Sequence, residues 1–570
     1  MQERPPVRPW EIASVLLVLA VTLGLAALWV LSDQGPLLEH SGRSIQDSIL
    51  LWRRLAAGQI FVPDDYPPLA SLVSAAFYAV WGPSRLVALA SQFVFLVPYL
   101  AGAWWTGREL GGRAGGTLTL LAAAGNPWMS LHLHGYYLEV GTTSLVALAL
   151  ALLLAARGGR NPAPTLALGV VAGLGMLSKW SWLLFMGPGL LWPLVLAWKA
   201  GPRNRRMAGA AVACLAFTAL MLLAARPEAS HGFPWLPYGL CLVAWALLGA
   251  LAARSWRRAG WSPAAGIALS WGLAFLVGAW WYFLSAWELQ TKAAGDAGQG
   301  VAAGVCLARL LATLSTCTWA APAWFALGSL AALRIRELRV PTLVAWSGIA
   351  LFLGFYAVWQ VPPGPRYALP ATVLVLAVSF SWLGRFPRCA FLAGLLLLAV
   401  GWLQVGSWTL QPPSVSWAAG PDLEQGRWLV RLSPPRPSGP PVGATAERIL
   451  AELEGTGESA ITSILLPEGR LDPDVLILES ILRGRELDIR HILDRDPARP
   501  VRTSLLLLVG EAPPSSPWLA DFHLLESWQA SGWGAWSLYR RKAPGAGRPT
   551  GGPGRAPPPG PDRSRLFSGE

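Results

Sequence analysis

The feature that most constrains this chain is a series of apolar runs, each about 17 to 25 residues long, separated by short loops that carry arginine. In the hydrocarbon of a bilayer every backbone N–H and C=O must find its partner within the protein, and for a single run only a helix achieves that. About thirteen such helices are expected up to Trp408, starting near Ile12, Ser84, Ala114, Leu138, Thr165, Trp180, Met207, Trp235, Pro263, Thr318, Pro341, Tyr367 and Cys389. With 54% hydrophobic and only 14% charged residues among 570, the bilayer is the solvent such a composition calls for. The first run, about Ile12 to Leu31, has no small-residue cleavage site before Asp33 and reads as a retained span.

Arginine and lysine set the orientation, because cytoplasmic loops keep positive charge and short translocated loops tend to lose it. With Arg4 and Arg8 cytoplasmic, alternate loops should be basic, and they are. One set carries Arg108 and Arg113; Arg157 and Arg160; Lys199, Arg203, Arg205 and Arg206; Arg254, Arg257 and Arg258; Arg334, Arg336 and Arg339; Arg385 and Arg388. The intervening loops near Asn126 to Tyr137, Pro227 to Pro234 and Gln360 to Tyr367 hold only Arg366 as a fixed cation. The net charge of +13 therefore reports topology and anionic headgroups, and no basic stripe with interleaved aromatics suggests nucleic acid. Many of the 32 tryptophans, such as Trp104, Trp105, Trp180, Trp182, Trp280, Trp281 and Trp319, flank apolar runs and suit an interfacial belt. The five cysteines show no CxxC spacing, which speaks against a zinc site or a disulfide framework.

The chain divides into a transmembrane region over 1–410, a Pro-rich linker over 411–442, a small domain over 443–541 and a Gly/Pro/Arg-rich tail over 542–570 expected to be disordered. The first outer loop, 32–83, is long. It contains a helical stretch from Ser44 to Ala57 and a second apolar helix, opened by Tyr66-Pro67-Pro68-Leu69, that can lie along the membrane surface. A weakly apolar piece between Ser285 and Cys317 is not counted as a span. The small domain reads as α/β: helices near Thr445 to Leu453, Pro473 to Leu482 and Trp518 to Gln529, and strands at Ile461 to Leu466, Leu487 to Ile492, Ser504 to Val509 and Trp536 to Arg541. No Gly-rich loop joins a strand to a helix there, so nucleotide binding is unsupported.

Ionisable residues near membrane depth are costly, so each is a functional candidate. On the outer side these are Asp33, Glu39, His40, Asp47, Asp64 and Asp65, with Glu139 opening the fourth span, Lys179 between the fifth and sixth, and Arg366 before the twelfth. Each has a plainer reading: Asp64 and Asp65 as caps of the next helix, Lys179 and Arg366 as snorkelling cations, Glu139 as a counter-ion to a neighbouring cation. His132 and His134 have the spacing of a metal pair, though solvated loop histidines are commoner.

The segments GQIFVPDDYPPL, GYYLEVGTTSLVALALALLLA, GVVAGLGMLSKWSWLLFMGPGLL and PPGPRYALPATVLVLAV together resemble, in order and spacing, the GT-C glycosyltransferases. Within these, the resemblance is to the family 39 branch of protein mannosyltransferase and aminoarabinose transferase-like proteins, including RgtA/B/C/D-like members. It implies a polytopic α-helical membrane protein of GT-C-like architecture that moves a sugar from a polyprenyl-phosphate donor to an extracytoplasmic lipid, glycan or protein acceptor. That family has an acidic pair or a single Asp soon after the first span; here Glu39, Asp47 or Asp33 stands in that region, and no Asp-Glu pair does. Glu139 stands where many relatives have Asp.

In an inverting transfer one of these carboxylates accepts the acceptor hydroxyl's proton. Polyprenyl phosphate leaves as an anion, so Arg366, a planar fork, and Lys179, a point charge, are the expected phosphate ligands. Asp64, Asp65, Tyr66 and Glu139 would orient sugar hydroxyls, an acceptor amine or a divalent cation. A transporter or lipid flippase, or an inactive relative acting as a scaffold, are the other readings; no internal repeat favours the transporter.

An odd number of spans puts the N-terminus in the cytoplasm and the small domain outside it, in a cell or inner membrane. Alkaline phosphatase fused after Arg541 should therefore be active. A cytoplasm-only fluorescent reporter at the same point should be dark, and the reverse result would remove one span from the count.

Overall fold

The computed structural model describes residues 6–32, 41–59, 66–225, 234–285, 320–359, 365–385, 388–410, 418–419, 430–431, 442–454, 460–465, 478, 481, 488–492, 503–509, 519, 521–530 and 534–542. It separates into two compact units, Met1–Ala446 with Asp472–Glu486 and Glu447–Leu471 with Leu487–Glu570. The first is helical: α1 (Pro9–Ser32), α2 (Ser41–Ala56), α3 (Leu69–Trp81), α4 (Arg85–Gln92), α5 (Leu96–Ala124), α6 (Pro127–Leu133), α7 (Leu138–Ala155), α8 (Pro162–Ser178), α9 (Trp182–Lys199), α10 (Pro202–Ala224), α11 (Trp235–Ala259) and α12 (Pro263–Leu284), then α13 (Ala320–Arg334), α14 (Arg336–Trp359), α15 (Leu369–Ser381) and α16 (Arg388–Leu410). Among the described residues eight helices are long and apolar enough to cross a membrane, and five shorter apolar ones accompany them.

One of the eight, Arg85–Ala124, is 40 residues long. Drawn straight it would reach about 60 Å, twice the hydrocarbon thickness. It is bent back on itself instead. Gly112 takes φ 69°, which a glycine adopts without strain, and breaks the helix. The two arms then run side by side: the Tyr99 hydroxyl donates to the Ala123 carbonyl at 3.3 Å, although 24 residues separate them. A Cβ on Gly116 would meet the Trp104 carbonyl at 3.2 Å, so the small residues on both arms let the backbones close up. The starts expected near Ser84 and Ala114 are these two arms.

The bundle has two distinct ends. At one, Glu11 near the start of α1 accepts from Arg108 Nε at 3.3 Å and lies 3.6 Å from Arg113 Nε, tying α1 to the turn at Gly112. There too Gly111 abuts the Ser381 carbonyl at the end of α15 so closely that a Cβ would overlap it. The α7–α8 turn is joined to the α11–α12 turn by Trp261 Nε1, which donates to the Gly159 carbonyl at 2.7 Å, and Arg203 binds Ser255 with its carbonyl at 2.9 Å and its hydroxyl at 2.7 Å. The basic loops named above thus gather at one end. Helix starts there follow local rules: Ser262 caps α12 by accepting from the Ala265 N–H at 3.2 Å, with Pro263 in the first turn.

Between the ends the helices approach at glycine. Gly169-x-x-x-Gly173 on α8 faces α12, where a Cβ on Gly278 would lie 2.7 Å from the Gly173 carbonyl oxygen, and a Cβ on Gly102 would overlap the Ala147 backbone of α7. Such contacts replace the hydrophobic effect, which is weak between helices already in lipid. α2 and α3 do not cross the bundle. The Ser74 hydroxyl of α3 bonds Ser91 at 2.6 Å and Tyr136 at 2.7 Å, fixing α3 at the end remote from the basic loops.

Two expectations are corrected. Trp182 and Trp281 are 0% and 1% exposed and belong to the core, not to a belt. Trp182 fills the space beside Gly175, where a side chain would overlap its ring. Exposed tryptophans do mark both ends: Trp10, Trp198 and Trp256 by the basic loops, Trp81 and Trp235 at the other.

The second correction concerns the small unit. Residues expected as a helix near Trp518 to Gln529 form strand β6 (Phe522–Ala530), the edge of a five-stranded sheet. A short ladder, β1 (Ala418–Ala419) with β2 (Val430–Arg431), precedes it in the chain. The sheet comprises β3 (Ala460–Leu465), β4 (Asp488–Ile492), β5 (Leu505–Val509), β6 and β7 (Gly534–Arg541) in the order β4-β3-β5-β7-β6, with β3 parallel to β4 and β5 and the last two joined as an antiparallel hairpin. A bulge between Leu524 and Glu526 breaks the period-two pattern, and pairing with β7 overrides the local helical signal. Helix α17 (Val442–Glu454) supplies Glu452, which pairs with Arg448 and Arg540. Of the helix expected at Pro473 to Leu482 only Leu478 and Ile481 are described, both helical and buried, and the apolar piece before Cys317 and the tail beyond Lys542 lie outside the described residues.

Gly102→Ala should lower the melting temperature in detergent or nanodiscs, corresponding to about 1 to 3 kcal/mol of overpacking. Gly24→Ala, with nothing within 4 Å of the added Cβ, should not. Equal melting of both variants with the parent protein would contradict the close approach of α5 and α7.

Candidate active site

Three helix ends converge away from the basic loops. Glu139 lies in the first turn of α7, Lys179 immediately follows α8, and Arg366 sits in a single 3-10 turn, Pro365–Ala368, that feeds α15. Flanking prolines set this last geometry: Pro365 opens the turn and Pro370 fits the first helical turn, where its missing N–H costs nothing. Lys179 Nζ donates to Glu139 Oε1 at 2.6 Å, and Arg366 Nε lies 3.7 Å from the same oxygen. Glu139 and Lys179 are 4% and 3% exposed. Two cations around one carboxylate leave these three groups with a net charge of +1.

Aromatic rings wall the cluster. Lys179 Nζ lies 4.2 Å from the Tyr367 ring centre and 5.9 Å from that of Tyr66, and the Arg366 guanidinium lies 5.0 Å from Tyr367 and 5.8 Å from Tyr137. Arg366 also donates to the Tyr367 hydroxyl at 3.1 Å, and the Tyr356 ring stands 5.9 Å from that of Tyr367. Cation–π contacts of this kind hold the cations in place while their charge remains available to an incoming anion. Burial pushes the Tyr66 phenol above its ordinary range despite Lys179 nearby, so it remains a neutral hydroxyl.

Beside the cluster is a layer of hydroxyls. Ser48 of α2 bonds the Tyr78 hydroxyl at 2.9 Å, and Tyr136 reaches Ser74 at 2.7 Å. Burial raises the Tyr136 phenol to about 12, Ser74 opposing the shift and the Asp47 carboxylate adding to it. Asp47 is therefore within electrostatic range of Tyr136, the neighbour of Tyr137. Of the expected site residues the structure brings Lys179, Arg366, Glu139 and Tyr66 together and puts Asp47 next to the hydroxyl layer. Asp33, Glu39, Asp64 and Asp65 lie outside the described residues.

Tyr137, Tyr356 and Tyr367 are not distinguished by the sequence pattern alone. The signal that marks Tyr137 and Tyr367 is their place beside an ion near membrane depth, in Tyr137-Leu138-Glu139 and Arg366-Tyr367. His132 and His134 are oriented by their own helix: Nδ1 of His132 donates to the Trp128 carbonyl at 2.8 Å and Nδ1 of His134 to that of Ser130. His134 then packs on Trp29 with the rings tilted by 30° and their centres 3.7 Å apart. No group of three or more His, Cys, Asp or Glu suited to a metal occurs among the described residues.

No family model and no curated protein matches this chain. Among solved structures it is similar to ArnT from Cupriavidus metallidurans, at 15% identity over 92% of this chain and 97% of that one in the apo state, with a TM-score of 0.37. The undecaprenyl phosphate-bound form of that protein gives 15% identity over 94% and 99%, with a TM-score of 0.36. An oligosaccharyltransferase from Archaeoglobus fulgidus, in complex with Zn and sulfate, is similar at 11% identity over 86% of this chain and 67% of that one, with a TM-score of 0.41.

Glu139→Gln leaves a buried ammonium without its counter-charge and should cost about 3 to 5 kcal/mol, whereas Lys179→Met, which leaves Arg366 3.7 Å from the carboxylate, should cost less. The double variant should recover most of that loss in thermal unfolding. Additive losses would show that the two groups are not energetically coupled.

Proposed function

We propose that this protein is a membrane glycosyltransferase that uses a polyprenyl-phosphate sugar as donor and an extracytoplasmic lipid, glycan or protein as acceptor. The observation that supports this reading best is the Glu139, Lys179 and Arg366 cluster, a buried net positive site at the ends of apolar helices. A polyprenyl phosphate combines a long apolar chain with an anionic head at one point, and the apolar helices and this site match both parts. The four ordered sequence segments that resemble GT-C enzymes supply the reaction type.

In this reading the leaving phosphate is stabilised as charge builds on its oxygens. Arg366 would offer its planar fork to the phosphate and Lys179 a second charge. Glu139 keeps the two cations oriented and limits their mutual repulsion in the absence of substrate. Tyr66 offers a neutral hydroxyl to the sugar. The base that accepts the acceptor's proton is one carboxylate of the first loop, Glu39, Asp47 or Asp33; Asp64 and Asp65 then take sugar, amine or a divalent cation.

Protein in nanodiscs given a radiolabelled polyprenyl-phosphate sugar should release free polyprenyl phosphate and label an acceptor. Arg366→Ala should reduce turnover about 10²- to 10³-fold, as removal of one charge-stabilising donor commonly does. Loss of turnover in only one of Glu39→Ala, Asp47→Ala and Asp33→Ala would identify the base. Full activity in Arg366→Ala would overturn the assignment of the phosphate site.

A further inference from the structure

The end of the bundle that carries the site also carries charge of the sign that translocated loops tend to lose. Helix α2 buries Gly42, Ile45, Ser48 and Ile49 on one face, the spacing of an amphipathic helix laid on a neighbour. That neighbour is α3: Ser48 bonds Tyr78 at 2.9 Å, and the Trp52 and Tyr78 rings meet edge-on with centres 6.3 Å apart. Directly after Trp52 come Arg53 and Arg54, both exposed, at the C-terminal turn. A C-terminal cation also suits the helix dipole, but that effect does not explain why two arginines stand together on a helix anchored beside the membrane-crossing segments.

The surroundings fix where these arginines lie. Trp81 and Val80 at the end of α3 are 64% and 69% exposed. Leu86, Val94 and Val97 on the first arm of the hairpin are exposed as well. Residues 86, 94 and 97 fall near one face of a helix, which in a membrane-crossing arm is the lipid face. In a bilayer that covers this face, Trp81 would lie at the depth aromatic residues favour, with Arg53 and Arg54 on the helix packed against α3.

We infer that α2 and α3 form an interfacial docking surface for anionic lipid headgroups, in which Arg53 and Arg54 bind the headgroup phosphates and Trp81 and Val80 insert among the acyl chains. The surface does not depend on the glycosyltransferase reading. It would hold the α2–α3 pair, and with it the hydroxyl layer built on Ser48, Ser74 and Tyr136, at a fixed height over the bilayer.

Hydrogen–deuterium exchange of the full-length protein tests this in nanodiscs of phosphatidylcholine alone and of phosphatidylcholine with phosphatidylglycerol. Anionic lipid should slow exchange across Ser41–Ala56 by about fivefold for each arginine engaged. In the variant Arg53→Gln/Arg54→Gln, whose substitutions are exposed and leave the packed face of α2 intact, the two lipids should give the same rates, and the parent's protection should fade as salt is raised. Identical rates for the parent protein in both lipids, or retained lipid-dependent protection in the variant, would overturn the proposal. Equal slowing by soluble glycerol phosphate in phosphatidylcholine would do the same, because it would show a site for a small anion and not for a lipid surface.

Discussion

The ion cluster of Glu139, Lys179 and Arg366 is the constraint on which the rest of this molecule depends. Removing a carboxylate and an ammonium from water costs several kcal/mol for each ion, and their attraction offsets it only if both are held at hydrogen-bonding distance. Here the hold comes from three separate helix ends, α7, α8 and the turn before α15. Those ends can meet only if the helices run close together, and the glycine contacts of α5 with α7 and α8 with α12 permit it. The small residues deep in the bundle and the charged residues at its end are thus parts of one arrangement.

A second buried ion group, Glu11 with Arg108 and Arg113, does the corresponding work at the opposite end. It joins the first helix to a hairpin turn and places two arginines where positive charge accumulates in the alternate loops. The two clusters differ in a telling way. Around Glu11 the Trp104 ring lies 5.9 Å from Arg108 and no set of tyrosines gathers among the described contacts, whereas Lys179 and Arg366 are each in reach of two tyrosine rings. The tyrosine hydroxyls beside Lys179 and Arg366 add neutral polar groups that the Glu11 group lacks among the described contacts.

Much of the bundle could be read from the chain because period and length are enough to identify a membrane helix. The arms starting near Ser84 and Ala114 were separable in the sequence through Arg108 and Arg113, although by helix geometry alone they form a single 40-residue run. The small domain was less legible. Phe522 to Ala530 has no clean alternation, because the bulge at Leu524 and Glu526 shifts the inward face midway, and only the partner strand decides its conformation. Tryptophan burial was also hidden: Trp182 and Trp180 look alike in sequence, yet Trp182 lies against Gly175 and is fully buried, which depends on how two helices pack.

The site was legible to the extent that charge in an apolar context is expensive and therefore conspicuous. Lys179, Arg366 and Glu139 stood out for that reason, from segments far apart in the chain. Their tyrosine surroundings did not, because a tyrosine next to an apolar run has an ordinary place as an interfacial anchor. What separates the two cases is geometry across helices: Tyr367 bonds Arg366 at 3.1 Å and also lies under Lys179, a residue 188 positions earlier in the chain. An anchor would face lipid, and this ring faces two cations. The cluster is accordingly a property of three converging helix ends, which no single segment of the chain could form.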